Sequence, residues 1–334
     1  MMKDQKSTFK AFRVKEENGH YQGSIKEMEF SPLDKDEILV KVHYSSLNYK
    51  DALSASGNKG VTRNYPHTPG IDAVGTVEQT NGESFEVGEK VIVTSYDLGM
   101  NTDGGFSEYV KVPSEWVVKL PANMTMKEAM MYGTAGLTAG MSVLRLTELI
   151  KPDDGKIVVS GATGGVGALS VAILSKLGYT VVAITGKESE REYLTNLGAE
   201  EILSRHEIEN FDQKPLLKPK FAGAIDTVGG VILENIIKST APMGVVTCCG
   251  NVASPKLDLT VFPFILRGIT LIGIDSQNYP MEERSKVWRL LSDEWKPKQL
   301  EETCTEITLE VIAEKIELML QGKLRRRTVL RLIN

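Results

Sequence analysis

Apolar and polar side chains alternate along Ile38-Leu39-Val40-Lys41-Val42-His43-Tyr44, with Ile38, Val40, Val42 and Tyr44 on one side and Leu39, Lys41 and His43 on the other. A period of two is the mark of a strand. Further strands are predicted at 73–77, 90–94, 106–112 and 116–119, punctuated by Pro69-Gly70, Asn81-Gly82, Gly104-Gly105, Pro113 and Pro121. No long helix is required in the first 125 residues. From about Thr125 the texture changes to helices alternating with strands. The strands are expected at 156–160, 180–185, 201–203, 221–226, 244–249 and 269–274. Helical patterns between most of them, such as Val166, Leu169, Ile173 and Leu177, imply a parallel doubly wound sheet. The tail departs again, with helices expected at 282–295 and 311–321 and a strand at 327–333. It is expected to fold back onto the first domain. The chain is thus read as α/β. A β-rich domain takes 1–125 and 277–334, and a doubly wound domain takes 126–276.

The segment Lys156-Ile157-Val158-Val159-Ser160-Gly161-Ala162-Thr163-Gly164-Gly165-Val166-Gly167 reads as strand, tight turn and helix. Glycines let the backbone turn sharply and approach a pyrophosphate, whose charge sits on free N–H groups at the helix start. Ala162, Gly164 and Gly167 stand where G-x-G-x-x-G places its glycines, the first of them as alanine. Gly161, Thr163, Gly164, Gly165, Val166 and Gly167 are therefore candidate cofactor-binding residues. The competing interpretation is a structural turn without a ligand. The next strand ends in Thr185-Gly186-Lys187, with no acidic residue to hold a ribose 2′-hydroxyl. Thr185 offers a hydrogen bond and Lys187 a positive charge. Arg205, after the third strand, offers a second charge. Charge-assisted bonds to phosphate are strong, so NADPH is favoured over NADH; otherwise Lys187 is a solvated surface lysine. Gly250, Asn251 and Ser276 follow the fifth and sixth strands, where ligands of such sheets bind. Asp226 is read as a packing or capping residue.

At 334 residues the chain suits two domains, and its net charge of −5 argues against general nucleic-acid binding. The basic run Lys323 to Arg327 is read as a solvated turn. No apolar run approaches the ~20 residues of a membrane span. Residues 1–6 are polar and lack the hydrophobic core of a secretory signal, and the start up to about Ser7 is expected to fray. Cys248 and Cys249 are adjacent and Cys304 is remote, so no disulfide framework or zinc spacing is present. Reduced thiols in a cytoplasmic protein are the expectation.

The β-rich N-terminal domain, the Gly161 to Gly167 turn and Gly133-Thr134-Ala135-Gly136-Leu137-Thr138-Ala139 together resemble a medium-chain dehydrogenase/reductase. Five further motifs narrow the resemblance: Ser46-Leu47-Asn48-Tyr49-Lys50-Asp51-Ala52-Leu53, Pro69-Gly70-Ile71-Asp72, Ala224-Ile225-Asp226-Thr227-Val228-Gly229, Pro263-Phe264-Ile265-Leu266-Arg267 and Gly273-Ile274-Asp275-Ser276. They resemble the YhdH/YhfP quinone-oxidoreductase-like branch, which includes NADPH-dependent acrylyl-CoA reductases. The match runs over nearly the whole chain. It implies a GroES-like catalytic domain, a Rossmann domain, a cleft between them and a homodimer joined edge to edge through the Rossmann sheets. Arg327 resembles a family position near the cofactor.

Zinc enzymes of this superfamily hold a catalytic metal through Cys and His in the N-terminal domain. This chain has no Cys before Cys248. It reads Leu47-Asn48-Tyr49-Lys50-Asp51 where the metal-binding Cys would stand, and Ile71 replaces the later His. The four-cysteine structural lobe is missing too. His43 and His67 remain without a thiolate, so no metal is expected. Reduction of a C=C bond conjugated to a carbonyl needs no Lewis acid. Hydride reaches the β-carbon, hydrogen-bond donors meet the enolate oxygen and a proton reaches the α-carbon. Tyr49 is the candidate catalytic residue beside the nicotinamide, its phenol donating to the enolate or relaying a proton. Asn48 is the second, fixing the substrate carbonyl or the nicotinamide ribose. Alternatively both bond within a turn after the third strand. Asp51 is read as a cap or salt-bridge partner and Asp72 as structural. Lys59 and Arg63 either meet a CoA phosphate or are solvated. The expected function is an NADPH-dependent reductase of an activated C=C bond in acryloyl-CoA or a related enoyl thioester. A quinone or small enone is the alternative substrate, and a non-catalytic NADPH-binding redox sensor is the alternative of another class. The expected partners are a small-molecule substrate and a second copy of the chain, with no nucleic acid and no membrane.

Overall fold

The structure is a computed structural model that describes residues 7–210 and 214–333. The expectations for residues 1–6 lie outside the described residues. The chain forms two compact units, 1–134 with 277–285 and 304–334, and 135–276 with 286–303.

The first unit opens with an antiparallel hairpin of β1 (Thr8–Glu17) and β2 (His20–Glu29). Asn18 and Gly19 make its two-residue turn, both at positive φ, the conformation that matches strand twist in tight hairpins. The sequence pattern did not single it out, because β2 is largely exposed and shows no apolar face. The unit's main sheet has seven strands. β3 (Glu37–Leu47), β4 (Asp72–Thr80), β5 (Lys90–Thr94) and β7 (Val117–Lys119) run in that spatial order, and β6 (Tyr109–Pro113) pairs with β3. Two late strands, β14 (Cys304–Thr308) and β15 (Arg327–Arg331), extend the other side of β3. The alternating residues Ile38, Val40 and Val42 are buried with Val91, Val93, Val110 and Val112. Each such side chain contributes about 1.5–3 kcal/mol of burial.

After β3 the chain forms a seven-residue helix, α1 (Tyr49–Ala55), in place of a simple turn. Leu47 and Ala52 pack in one cluster with Leu330 and with Ile312 and Ile316 of α9 (Ile312–Leu320). That cluster is what holds α1. The longest helix, α2 (Met126–Thr147), is broken at Gly133, where φ is 52° and ψ −156°.

The second unit holds an all-parallel sheet of β8 (Ile157–Val159), β9 (Val181–Thr185), β10 (Glu201–Ser204), β11 (Phe221–Asp226), β12 (Thr240–Cys248) and β13 (Thr270–Gly273). Their spatial order is β10-β9-β8-β11-β12-β13. The order reverses at β8, which pairs with both β9 and β11. That reversal is the switch point where doubly wound sheets bind ligands. The connecting helices include α3 (Gly165–Lys176), α5 (Arg205–Glu209) and α7 (Phe262–Arg267). In the tail, α8 (Met281–Ser292) is divided between the units: 281–285 fall in the first, where the whole tail was expected, and the rest does not. Residues 286–303 pack with the second unit. The reason is local: Val287, Trp288 and Leu291 are fully buried. The bare Cα of Gly140 admits them, since a Cβ there would lie 2.5 Å from Val287 Cγ1. Among the described residues no helix is long and apolar enough to cross a membrane.

Candidate active site

In the first unit, a cluster of buried polar groups gathers where β3 ends, β4 begins and β15 begins. Asp72 is fully buried. Its Oδ1 accepts from the Thr134 backbone N–H at 2.9 Å and from the Thr134 hydroxyl at 2.6 Å. Its Oδ2 accepts from Ser46 Oγ at 2.5 Å and from Asn48 Nδ2 at 2.7 Å. Arg327 lies 3.7 Å from the same oxygen through Nη2, which also donates to Ser46 Oγ at 2.7 Å. Its Nη1 donates to Asn48 Oδ1 at 2.9 Å and to the Leu47 carbonyl at 3.3 Å, and its Nε donates to the Met131 carbonyl. A buried charge is tolerated only when paired and hydrogen-bonded in this way.

Arg327, expected beside the cofactor, is only 4% exposed, and its donors are engaged inside the unit. The register is the cause: Thr328 pairs with Leu47, which sets Arg327 beside Asn48. Asn48, expected to bind substrate or ribose, donates through Nδ2 to Asp72 Oδ2 and accepts at Oδ1 from Arg327 Nη1. Ser46, Gly133 and Thr134 belong to the cluster but were not singled out from sequence as site residues. Gly133-Thr134 interrupting a helical pattern, and a lone acid at the head of the apolar run after Asp72, were the available signals.

Asn48 precedes α1, and Tyr49 is the first residue of that helix. The Tyr49 side chain is 54% exposed. Asp51, fully buried, fastens the helix start: its Oδ2 accepts from the Asn48 backbone N–H at 2.7 Å, and its Oδ1 accepts from Ile71 and Gly70 N–H at 2.8 and 3.2 Å. Burial, and then the nearby Asp72 charge, push Asp51 up to about 7 against these hydrogen bonds. Lys59 is not simply solvated. It donates to Glu16 Oε2 at 3.0 Å and lies over the Tyr65 ring at 4.8 Å. Arg63 is exposed.

In the second unit, the turn after β8 is built for close backbone approach. Gly161 has φ +58°, and a Cβ there would lie 2.3 Å from Thr227 Oγ1. A Cβ at Gly167 would lie 2.3 Å from the Gly161 carbonyl oxygen, so α3 seats directly on the turn. The left-handed position is therefore Gly161, one residue before the fingerprint's first place. Ala162 is tolerated there because its methyl is buried and its N–H donates to the Ile184 carbonyl at 3.1 Å. Gly164 is the N-cap and supplies no capping side chain. The amides of Gly165, Val166 and Gly167 form the open first turn of α3, and Thr163 is half-buried beside them. Bare glycines and uncapped amides fit a pyrophosphate. Asp226, buried at the end of β11, accepts from Ser160 Oγ at 2.6 Å and from Gly229 N–H at 2.8 Å. It braces the turn from beneath, and burial raises its pKa. Gly250 packs on the same frame, since a Cβ there would lie 2.1 Å from the Thr227 carbonyl oxygen. Asn251 is exposed and Ser276 half-buried beyond β12 and β13.

A second corner forms at the end of β9. Thr185 pairs with Ser204, so Arg205 falls next to Gly186, its Cδ 3.7 Å from where a Cβ on Gly186 would stand. Thr185 is buried, and its hydroxyl oxygen accepts from Lys187 N–H at 3.0 Å. The structure thus brings Thr185, Gly186, Lys187 and Arg205 to one place, and the residues present fit a phosphorylated ribose. Among the described residues no three His, Cys, Asp or Glu side chains gather to hold a metal, and His67 Nε2 is bonded to the Gly99 carbonyl. None of Cys248, Cys249 and Cys304 forms a disulfide.

A parallel sheet with a glycine turn at its switch point, in one chain with a β unit rich in antiparallel strands, defines the two-domain dinucleotide-binding oxidoreductases. Residues 34–122 match the alcohol dehydrogenase GroES-like domain, and residues 165–293 match the family described as zinc-binding dehydrogenase. YhfP of Bacillus subtilis, named provisionally as a quinone oxidoreductase, is 41% identical over 97% of this chain and 99% of its own. The acrylyl-CoA reductase AcuI of Ruegeria pomeroyi is 37% identical over 94% of this chain and 96% of its own. The crystal structure of the yhdH oxidoreductase from Salmonella enterica, in complex with NADP, superposes with a TM-score of 0.93 at 39% identity, covering 97% of this chain and 100% of that one. That of Bacillus subtilis yhfP with NAD bound gives 0.94 at 41%, covering 97% and 99%. The chain belongs to the medium-chain dehydrogenase/reductase family, in its YhdH/YhfP quinone-oxidoreductase-like branch.

Proposed function

We propose that the protein is an NADPH-dependent reductase of an activated carbon–carbon double bond, with acryloyl-CoA or a related enoyl thioester as substrate. The observation that carries the coenzyme is the corner at Gly186, where Arg205 packs beside a strand end that bears no acid and is followed by Lys187. The substrate class rests on the relatives named acrylyl-CoA reductase. Bound NADPH supplies a hydride for the β-carbon. Gly161, Thr163, Gly164, Gly165, Val166 and Gly167 hold the pyrophosphate, and Thr185, Gly186, Lys187 and Arg205 hold the 2′-phosphate. Gly250, Asn251 and Ser276 are further contacts beyond the strand ends. Tyr49, exposed and rooted in the first turn of α1, donates its phenolic hydrogen to the thioester oxygen as negative charge collects there. Asn48, Asp72 and Arg327 position that root. They do not themselves meet substrate.

A second substrate reading, a quinone or small enone, is favoured by the name of the 41% identical YhfP. Loss of NADPH absorbance, followed with acryloyl-CoA, crotonyl-CoA, acrolein and quinones, separates the two. Turnover of thioesters is expected. Turnover of quinones alone moves the assignment, and tight NADPH binding without any turnover leaves a redox sensor.

The reading includes a homodimer. Its support is an exposed apolar strip on α7 and just before it: Val261, Phe262, Ile265 and Leu266 are 62%, 42%, 68% and 63% exposed. The strip lies in the chain just ahead of β13, the terminal strand of its sheet. Patches of this kind mark interaction surfaces.

A further inference from the structure

Arg205 does not meet the Gly186 corner as an isolated cation. Its Nε donates to Glu209 Oε1 at 2.5 Å, one helical turn on in α5. The Arg205 side chain is half exposed, whereas that of Glu209 is 22% exposed. Glu209 is itself approached by His206, whose Nδ1 stands 3.4 Å from Oε2. Two acids close by in the sequence are engaged elsewhere. Glu207 accepts from the Ser204 backbone N–H at 2.6 Å, and Glu188 pairs with Arg191. Among the described residues, the terminal nitrogens of Arg205 and the ammonium of Lys187 have no partner. The corner therefore holds one uncompensated lysine and one arginine whose inner edge a carboxylate already occupies.

We propose that Glu209 sets how strongly this chain prefers the phosphorylated coenzyme, by holding Arg205 in place against Gly186 while offsetting its charge. The inference rests on the NADPH reading above and deepens it. Two effects are tied to one residue. The hydrogen bond at Nε orients the guanidinium so that its outer nitrogens stay available for a forked phosphate contact. The carboxylate's charge repels the 2′-phosphate that those nitrogens would hold. A glutamine separates the two effects, since its carbonyl oxygen still accepts from Nε but carries no charge. The acid makes the site tolerant of NAD, whose ribose brings no phosphate to be repelled.

The test is calorimetric titration of wild-type, E209Q, R205M and R205M/E209Q protein with NADP+, NAD+ and adenosine 2′,5′-bisphosphate, at low and physiological salt. E209Q is expected to tighten NADP+ and the bisphosphate roughly three- to tenfold, with NAD+ within about twofold and a larger gain at low salt, as befits partly solvated charges. In the R205M background the gain from E209Q shrinks to less than about twofold. NADP+ binding to E209Q that is unchanged or weaker overturns the inference, as does equal tightening of NAD+ or an undiminished gain without Arg205. Wild-type protein that binds neither coenzyme overturns the NADPH reading and this inference with it. Normal wild-type binding with an unresponsive E209Q overturns this inference alone.

Discussion

Replacing Gly133 by alanine drives a methyl group into the polar cluster of the first unit, and the geometry sets the size of the effect. A Cβ at that position would stand 2.4 Å from Asp72 Oδ2, 2.4 Å from Ser46 Oγ and 2.6 Å from Arg327 Nη2. None of the three is a loose surface tail: Asp72 and Ser46 are fully buried and Arg327 is 4% exposed. The backbone adds its own term, because φ 52° with ψ −156° lies where essentially only glycine is found, at a cost of about 1–3 kcal/mol. Separating a buried ion pair costs about 3–5 kcal/mol more. The sum, about 4–8 kcal/mol, is comparable to the about 5–15 kcal/mol that holds a typical domain folded. Gly88→Ala is the matched control in the same unit, since Gly88 has φ +92° but nothing within 4 Å of the added atom. It should cost only the backbone term of about 1–2 kcal/mol. In urea unfolding followed by circular dichroism, with a slope of about 2–3 kcal/mol per molar, Gly133→Ala should lower the first midpoint by about 1.5 M or more. Gly88→Ala should lower it by about 0.5–1 M. Equal shifts for the two variants would refute the claim that glycine is required at 133 by the close approach of Asp72 and Arg327.

Tyr49→Phe should lower kcat roughly a hundredfold, in keeping with the loss of one hydrogen-bond donor to a developing oxyanion, while the Kd for NADPH stays within twofold; an unchanged kcat removes the phenol from the chemistry. Asp51 is held up to about 7 in the folded chain, above its unfolded value, so the folded state keeps this proton while the unfolded state has lost it. Stability from this group is therefore greatest below about pH 4 and falls as the pH rises to about 7, by about 4 kcal/mol. Unfolding free energies of wild type measured against Asp51→Asn from pH 4 to 8 should show wild type losing ground by about that amount, and a pH-independent difference would contradict the shift. Ile265→Glu should convert a dimer to a monomer in sedimentation experiments while leaving thermal unfolding of a dilute sample nearly unchanged; a monomeric wild type would dispose of the proposed self-association.

What the sequence determined by itself was local. Every strand of the second unit's sheet was legible, as at 221–226, because a continuous apolar run between turn residues serves only a strand covered on both faces. The turn at Gly161 to Gly167 was legible for a related reason: few residues except glycine permit its backbone path, so the requirement is written directly in the chain. The period-two run from Ile38 to Tyr44 showed β3 for the same kind of reason.

Tertiary structure decided what depends on partners distant in the chain. The hairpin β1–β2 carries little periodicity, since most of β2 faces solvent. Nothing local to Asn48 or Arg327 announces that their side chains will meet. They do so because β15 returns antiparallel to β3 in one register, bringing Arg327 onto Ser46 across 281 residues. The same holds for Arg205, whose place against Gly186 follows from the pairing of Ser204 with Thr185. The apparent defect at Ala162 was resolved only by the backbone, which puts the left-handed residue at Gly161. Side-chain period and backbone permission are properties of a few consecutive residues. The burial and pairing of charged groups are properties of sheet register, which no short stretch of chain can set alone.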